Sequence, residues 1–265
     1  MCRSILHWCK KKYRSSKYDF LTIILTKINK KLSYLEAFKI TSEYNGIMKY
    51  ILFILAIFSI DIAPLFCQEN RNWQFEYLPG VSYVPPLPLT IVQEGYSNIK
   101  LTAKYKTRPL EMPIYYSYRL TTWKGSKGWS IEMNHLKIYL KNTSDDVQDF
   151  SVSHGYNHIF INHHWIRDKY TWILGGGIVL GHPESTIRGR YWEENGGLWN
   201  RGYYLAGIST QGAFYFPLVN TKYFVIPLEA KVTLGYGHVP IIDGHARVPM
   251  ISLNLLTGLG LKYMR

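Results

Sequence analysis

The stretch YFVIPLEAKVTLGY, residues 223–236, decides the fold class. Its even positions are Phe224, Ile226, Leu228, Ala230, Val232, Leu234 and Tyr236. Its odd positions include Glu229, Lys231, Thr233 and Gly235. Successive strand side chains point to opposite faces, so this segment, read as a strand, has one unbroken apolar face and one charged face. The last segment, 249–263, repeats the pattern. Ile251, Leu253, Leu255, Leu259, Leu261 and Tyr263 oppose Ser252, Asn254, Gly258, Gly260 and Lys262.

Working outward, eight segments alternate in this way: 98–106, 113–122, 129–141, 155–166, 170–181, 203–216, 223–236 and 249–263. Most exceed the five or six residues usual in soluble sheets and match the roughly 9–11 that a tilted strand needs to cross a bilayer. The connections alternate between short (124–128, 167–169, 217–222) and long (142–154, 182–202, 237–248). Short turns at one end and long loops at the other are the pattern of a bacterial outer-membrane barrel. The expectation is therefore an all-β fold, an eight-stranded antiparallel transmembrane barrel over 98–265. Residues 68–97 form an irregular, Pro-rich lead-in. A soluble sandwich or lipocalin-like barrel also alternates, with its polar face outward. The strand lengths and the loop asymmetry favour the membrane barrel. Its inward face would carry Lys100, Lys104, Arg119, Glu132, Glu229, Lys231 and Asn254 as paired charges.

The chain has 265 residues and a formal charge of +13. Residues 1–67 hold 11 Lys/Arg and 4 Asp/Glu, so more than half the excess sits in the first quarter. The remaining charge is scattered along the strands, which excludes a nucleic-acid stripe. Within MKYILFILAIFSIDIAPLFC (48–67), the apolar run Tyr50–Ile60 is too short to span a bilayer but suits a secretory signal. Residues 48–67 read as a signal peptide, and 1–47 as an extension from an over-long start. Localisation in the bacterial outer membrane, outer-membrane lipid as the partner, and a monomer follow as expectations.

Eight of the nine histidines come after residue 98. Counting strand directions from a periplasmic N-terminus, His135, His154, His158, His182, His238 and His245 converge on the outer rim. His163 and His164 lie at the other end. In EMNHLK (132–137) the apolar parity switches from Trp129, Ile131 and Met133 to Leu136, Ile138 and Leu140. Such a slip suggests a β-bulge, a device that re-aims side chains near sites. Imidazole with carboxylate suits either a metal site or general-base chemistry. No HExxH spacing is present. Ser153 beside His154, and Ser185 three residues after His182, leave a hydrolase open. The triplet Gly175–Gly177 lies in a strand and reads as close packing, not phosphate binding.

Four pieces in order, EMNHLKIY (132–139), DFSVSHGYNHIFIN (149–162), GGGIVLGHPES (175–185) and LEAKVTLGYG (228–237), resemble the lipid A oxidase family of Gram-negative outer-membrane barrels. The closing strand PMISLNLLTGLGLKY fits as well, so the resemblance spans roughly 98–263. It implies oxygen-dependent oxidation of the proximal glucosamine of lipid A, the glycolipid of lipopolysaccharide. It implies His135, His154, His182 and Glu184 as catalytic residues or ligands of a divalent or redox metal ion, with molecular oxygen as co-substrate. Lys137, Asn157, Glu229 and Lys231 would then bind substrate. Two other readings stay open: a lipid A or phospholipid acyl hydrolase, and a structural or adhesive barrel with no activity.

Overall fold

The structure, a computed structural model, describes residues 72–192, 196–198 and 200–263. The expected extension 1–47 and signal peptide 48–67 lie outside the described residues. What is described is antiparallel strand: β1 (Asn72–Tyr83), β2 (Leu87–Gln93), β3 (Ile99–Ala103), β4 (Tyr105–Lys106), β5 (Tyr116–Lys124), β6 (Lys127–Leu140), β7 (Val147–Arg167), β8 (Tyr170–Gly181), β9 (Glu184–Ile187), β10 (Arg190–Tyr191), β11 (Tyr204–Asn220), β12 (Phe224–Ile241), β13 (Gly244–Thr257) and β14 (Leu259–Tyr263). The pairings run from β1 through β5, β6, β7, β8, β11, β12 and β13. The line of β13, continued past Gly258 by β14, then pairs back onto β1.

Two expectations are corrected here. Residues 68–97 are not an irregular lead-in, because they contain β1 and β2. In β1, Gln74, Glu76 and Leu78 are buried while Phe75 and Val81 are exposed, but Pro79 and the prolines after Tyr83 mask the alternation in the sequence. Conversely, 98–106 is outside the ring of pairings. There β3 pairs with β2, β4 pairs with the end of β6, and β2 extends the end of β13. Lys100 and Lys104 are accordingly exposed, not inward.

Two of the expected long loops, 142–154 and 237–248, are largely strand, and 182–202 carries the short β9 and β10. The β12–β13 hairpin turns at residues 242–243, β7 starts at Val147, and β9 pairs with β7. The reason is an inversion of polarity along the wall. Towards the β5–β6 and β7–β8 turns, the outer face is apolar, with Leu120, Ile131, Leu174, Leu234 and Leu253 exposed. The inner face there is polar, with Arg119, Glu132, Asn162, Gln211 and Lys231 buried. Towards the other end the inner face becomes an apolar core of Leu136, Ile138, Phe150, Val152, Val239, Ile241 and Val248. The outer face there carries His238, Arg247 and Lys100. The parity switch in EMNHLK marks this inversion. Along β6 the inward set Glu132, Asn134, Leu136, Ile138 continues without a slip.

The polar interior is held by ion pairs. Arg119 reaches Glu132 at 3.0 Å, Glu229 at 2.7 Å and Glu76 at 3.4 Å, and Lys231 contacts Glu132 and Glu229. Asn162 and Gln211 donate to Glu132 at 2.9 and 2.8 Å. Buried charges persist only with such complete partnering. The glycine triplet packs as its sequence suggests: a Cβ on Gly175 would overlap Asn162, and one on Gly177 would overlap the Ile159 carbonyl.

Candidate functional site

The site is built on the outer face of the wall, where the apolar belt ends. Three columns of outward parity end there in polar side chains that are themselves buried: Ile131 and Met133 lead to His135 on β6, Ile161 and Ile159 to Asn157 on β7, and Ile178 and Leu180 to His182 after β8. His135 is paired with Tyr116 on one side and Asn157 on the other.

A bulge assembles the rest. Leu136 pairs with Tyr156 and Ile138 with Val152, so Ser153, His154 and Gly155 of β7 face the single residue Lys137. The bulge thus lies on β7, not in the EMNHLK strand where the parity switch suggested it. Gly155 adopts φ 126°, a region that L side chains rarely occupy, and a Cβ there would overlap Asn157. The His182 amide closes the bulge by donating to the Gly155 carbonyl at 3.2 Å. β9 returns along β7 with Glu184 opposite Ser151, which delivers the carboxylate to the bulge.

The resulting cluster is His154, His182 and Glu184, whose ligand-capable atoms lie within 4.8 Å of one another. His154 Nδ1 is 2.9 Å from Glu184 Oε1. The His154 and His182 rings are 4.7 Å apart, and Tyr203 packs on His182 at 4.9 Å. The His154 side chain is 59% exposed and that of Glu184 22%, so the cluster opens outward. Beside it, His135 Nδ1 donates to Asn157 Oδ1 at 2.7 Å. That bond fixes the tautomer and leaves Nε2 with its lone pair, buried and without a hydrogen-bond partner among the described residues. Burial holds the His135 imidazole below the ordinary histidine range, against the Asn157 bond, which raises it. Asp149 is pushed up, first by burial and then by the charge of Glu184.

All four expected catalytic residues and Asn157 thus lie on this stretch of wall. Lys137 lies next to them, donating to the Glu111 carbonyl at 2.8 Å. Glu229 and Lys231 lie elsewhere. They are 0% and 2% exposed inside the ion-pair network, where no lipid phosphate reaches. Alternation is blind to this, because a charged inward position looks the same at every height. His158 is buried between Tyr156 and Phe160, His164 bonds Ser130 at 2.8 Å, and His163 packs on Trp129 and Trp165. Sequence reasoning missed Tyr116 and Tyr203. Outward parity could have found Tyr116, and nothing local marks Tyr203.

A His/His/Glu set fits a divalent or redox ion in donor type. Ser153 Oγ lies 3.2 Å from His154 Nδ1 and donates to Glu184 Oε1. Serine and carboxylate thus meet the same ring nitrogen. A nucleophile relay needs them on opposite nitrogens of the imidazole.

No family model and no curated protein matches the chain. Among solved structures it is similar to Ail, the attachment invasion locus protein of Yersinia pestis, at 11% identity and a TM-score of 0.35, covering 74% of this chain and all of that one. It is also similar to Neisserial surface protein A, at 10% identity and a TM-score of 0.33, covering 74% and 98%. The outer membrane protein AlkL, determined in DMPC bilayers, shares 10% identity at a TM-score of 0.42, covering 74% and 92%.

Proposed function

We propose that this chain is a monomeric eight-stranded barrel of the bacterial outer membrane that oxidises the proximal glucosamine of lipid A. Lipid covers the belt of exposed apolar side chains, and the paired charges fill the interior. One observation carries the functional reading: His154 and Glu184 open from the outer wall at the end of that belt, with the buried His182 behind them. This is the height of a lipid headgroup, and the face is turned to lipid instead of the lumen.

His154, His182 and Glu184 would hold the metal ion, with His135 Nε2 beside them. The ion, when bound, supplies redox and Lewis-acid chemistry. The protein's own groups do the rest. Glu184 accepts the proton of the sugar C1 hydroxyl. Asn157 fixes His135, and Lys137, 3% exposed and held on the Glu111 carbonyl, meets anionic substrate groups only when that bond is released. Two electrons and two protons pass from the C1 hemiacetal to molecular oxygen, giving hydrogen peroxide and a lactone. Water opens the lactone to the aminogluconate, a net gain of one oxygen atom. The shared Nδ1 contact of Ser153 and Glu184 weighs against the hydrolase reading.

The test is mass spectrometry of lipid A from a Gram-negative host with and without the gene, and with His154→Ala and Glu184→Gln. A gain of one oxygen that both variants abolish is expected. Loss of an acyl chain would establish a hydrolase, and unchanged lipid A a structural barrel.

A further inference from the structure

A second polar feature lies elsewhere on the outer wall, on strands that contribute nothing to the His154 cluster. His238 on β12 is paired with Arg247 on β13, Arg247 with Thr90 on β2, and Thr90 with Lys100 on β3. Residues directly opposite in antiparallel strands share a face, so these four form one row across four strands. The neighbours Val239, Ala246, Leu89 and Ile91 are buried in the core, which fixes the row as outward. His238, Arg247 and Lys100 are exposed. At roughly 4.8 Å per strand the row spans about 14 Å.

Three further observations point to a ligand. First, Arg247 and Lys100 make no ion pair among the described residues. The nearby acid Asp243, at the β12–β13 turn, is already paired with Arg190. Second, His245 stacks on His238 at 5.1 Å and 13°, and its Nε2 is buried without a hydrogen-bond partner among the described residues. Third, the outward residues immediately before the row are Tyr236 on β12 and Pro249 on β13, preceded by Leu234 and Ile251 of the apolar belt. The row therefore begins where hydrocarbon ends.

We infer that this row is a phosphate-binding site for an anionic lipid headgroup of the outer leaflet, separate from the His154 cluster. Arg247 supplies a planar fork for phosphate oxygens and Lys100 a point charge. The hydroxyl of Thr90 sits between them. The acyl chains of the same lipid lie along Leu234, Ile251 and Leu253. A lipid held here fixes the barrel's height and rotation relative to its neighbours in the leaflet.

The inference rests on the outer-membrane reading but not on lipid A oxidation. The full chain is refolded into nanodiscs of phosphatidylcholine containing a small fraction of lipid A, and co-purifying lipid A is quantified by mass spectrometry. The variants are Arg247→Gln, Lys100→Gln and the pair, with Lys169→Gln, at the opposite end of the wall, as a control. Retention is expected to fall about five-fold for each single variant, further for the pair, and not for Lys169→Gln. It is also expected to fall with added salt. Strand content by circular dichroism checks that the variants fold. Equal retention by wild type and the pair overturns the site. Equal retention of dephosphorylated lipid A also overturns it. Full displacement by millimolar inorganic phosphate assigns the row to free phosphate and overturns the lipid. Failure of the wild type to enter nanodiscs would instead overturn the membrane reading itself.

Discussion

Replacing Arg119 by methionine tests the physical account of the interior most directly. Arg119 is 1% exposed and is the hub of the polar network. Its guanidinium forks onto Glu229, with Nη1 at 2.7 Å from Oε2 and Nη2 at 2.8 Å from Oε1. It also meets Glu132 at 3.0 Å and Glu76 at 3.4 Å. Without it, Lys231 is the one cation left in the network among the described residues, and it reaches Glu132 and Glu229 but not Glu76. Removing one partner of a buried ion pair costs about 3–5 kcal/mol, because the remaining charge is stranded away from water. The exposed pair Arg108–Glu111, at 3.4 Å, supplies the contrast, and Arg108→Gln should cost at most about 1 kcal/mol. The assay is equilibrium unfolding by urea of the refolded protein in lipid vesicles at neutral pH. The double variant Arg119→Met/Glu229→Gln should regain part of the loss, since it removes one stranded charge, and the cycle should show coupling of about 0.5–3 kcal/mol. A loss below about 1 kcal/mol for Arg119→Met, or strict additivity in the cycle, would refute the hub.

Two further outcomes are expected. Gly177→Ala should destabilise by about 1–3 kcal/mol through overlap with the Ile159 carbonyl, whereas Gly212→Ala, whose Cβ meets nothing within 4 Å, should be near neutral; thermal melts of the two variants decide this. Asp149 is pushed above the ordinary aspartate value of 3.8, so its contribution to stability is fully present below that value and is lost as pH rises through the native pKa. Asp149→Asn should therefore gain stability over the parent at neutral pH, and the gain should vanish on acidification below that value. A gain that persists in acid would show that Asp149 acts other than through its charge.

Much of the candidate site is legible in the sequence. Counting strand directions placed His135, His154 and His182 towards one end, and the parity switch in EMNHLK flagged their neighbourhood. What local pattern could not supply was the meaning of that switch. It marks the height at which inside and outside exchange polarity, and above it strand residues read as loop. The same limit explains Glu229 and Lys231. Their inward parity was clear, but Arg119 and Glu132, which neutralise them, come from distant strands.

Period-2 alternation by itself determined the all-β class and which residues of 223–236 and 249–263 share a face, because strand geometry is local and forces each side chain to one side or the other. Closing the pairings was left to tertiary structure. That step recruited β1 in place of 98–106, set Glu184 of β9 against the β7 bulge, and drew His238, Arg247, Thr90 and Lys100 into one row. Each of those neighbours is joined only by inter-strand hydrogen bonds, whose register depends on the whole sheet. For that reason Lys100 and Arg247, far apart in the sequence, meet in one row on the folded wall.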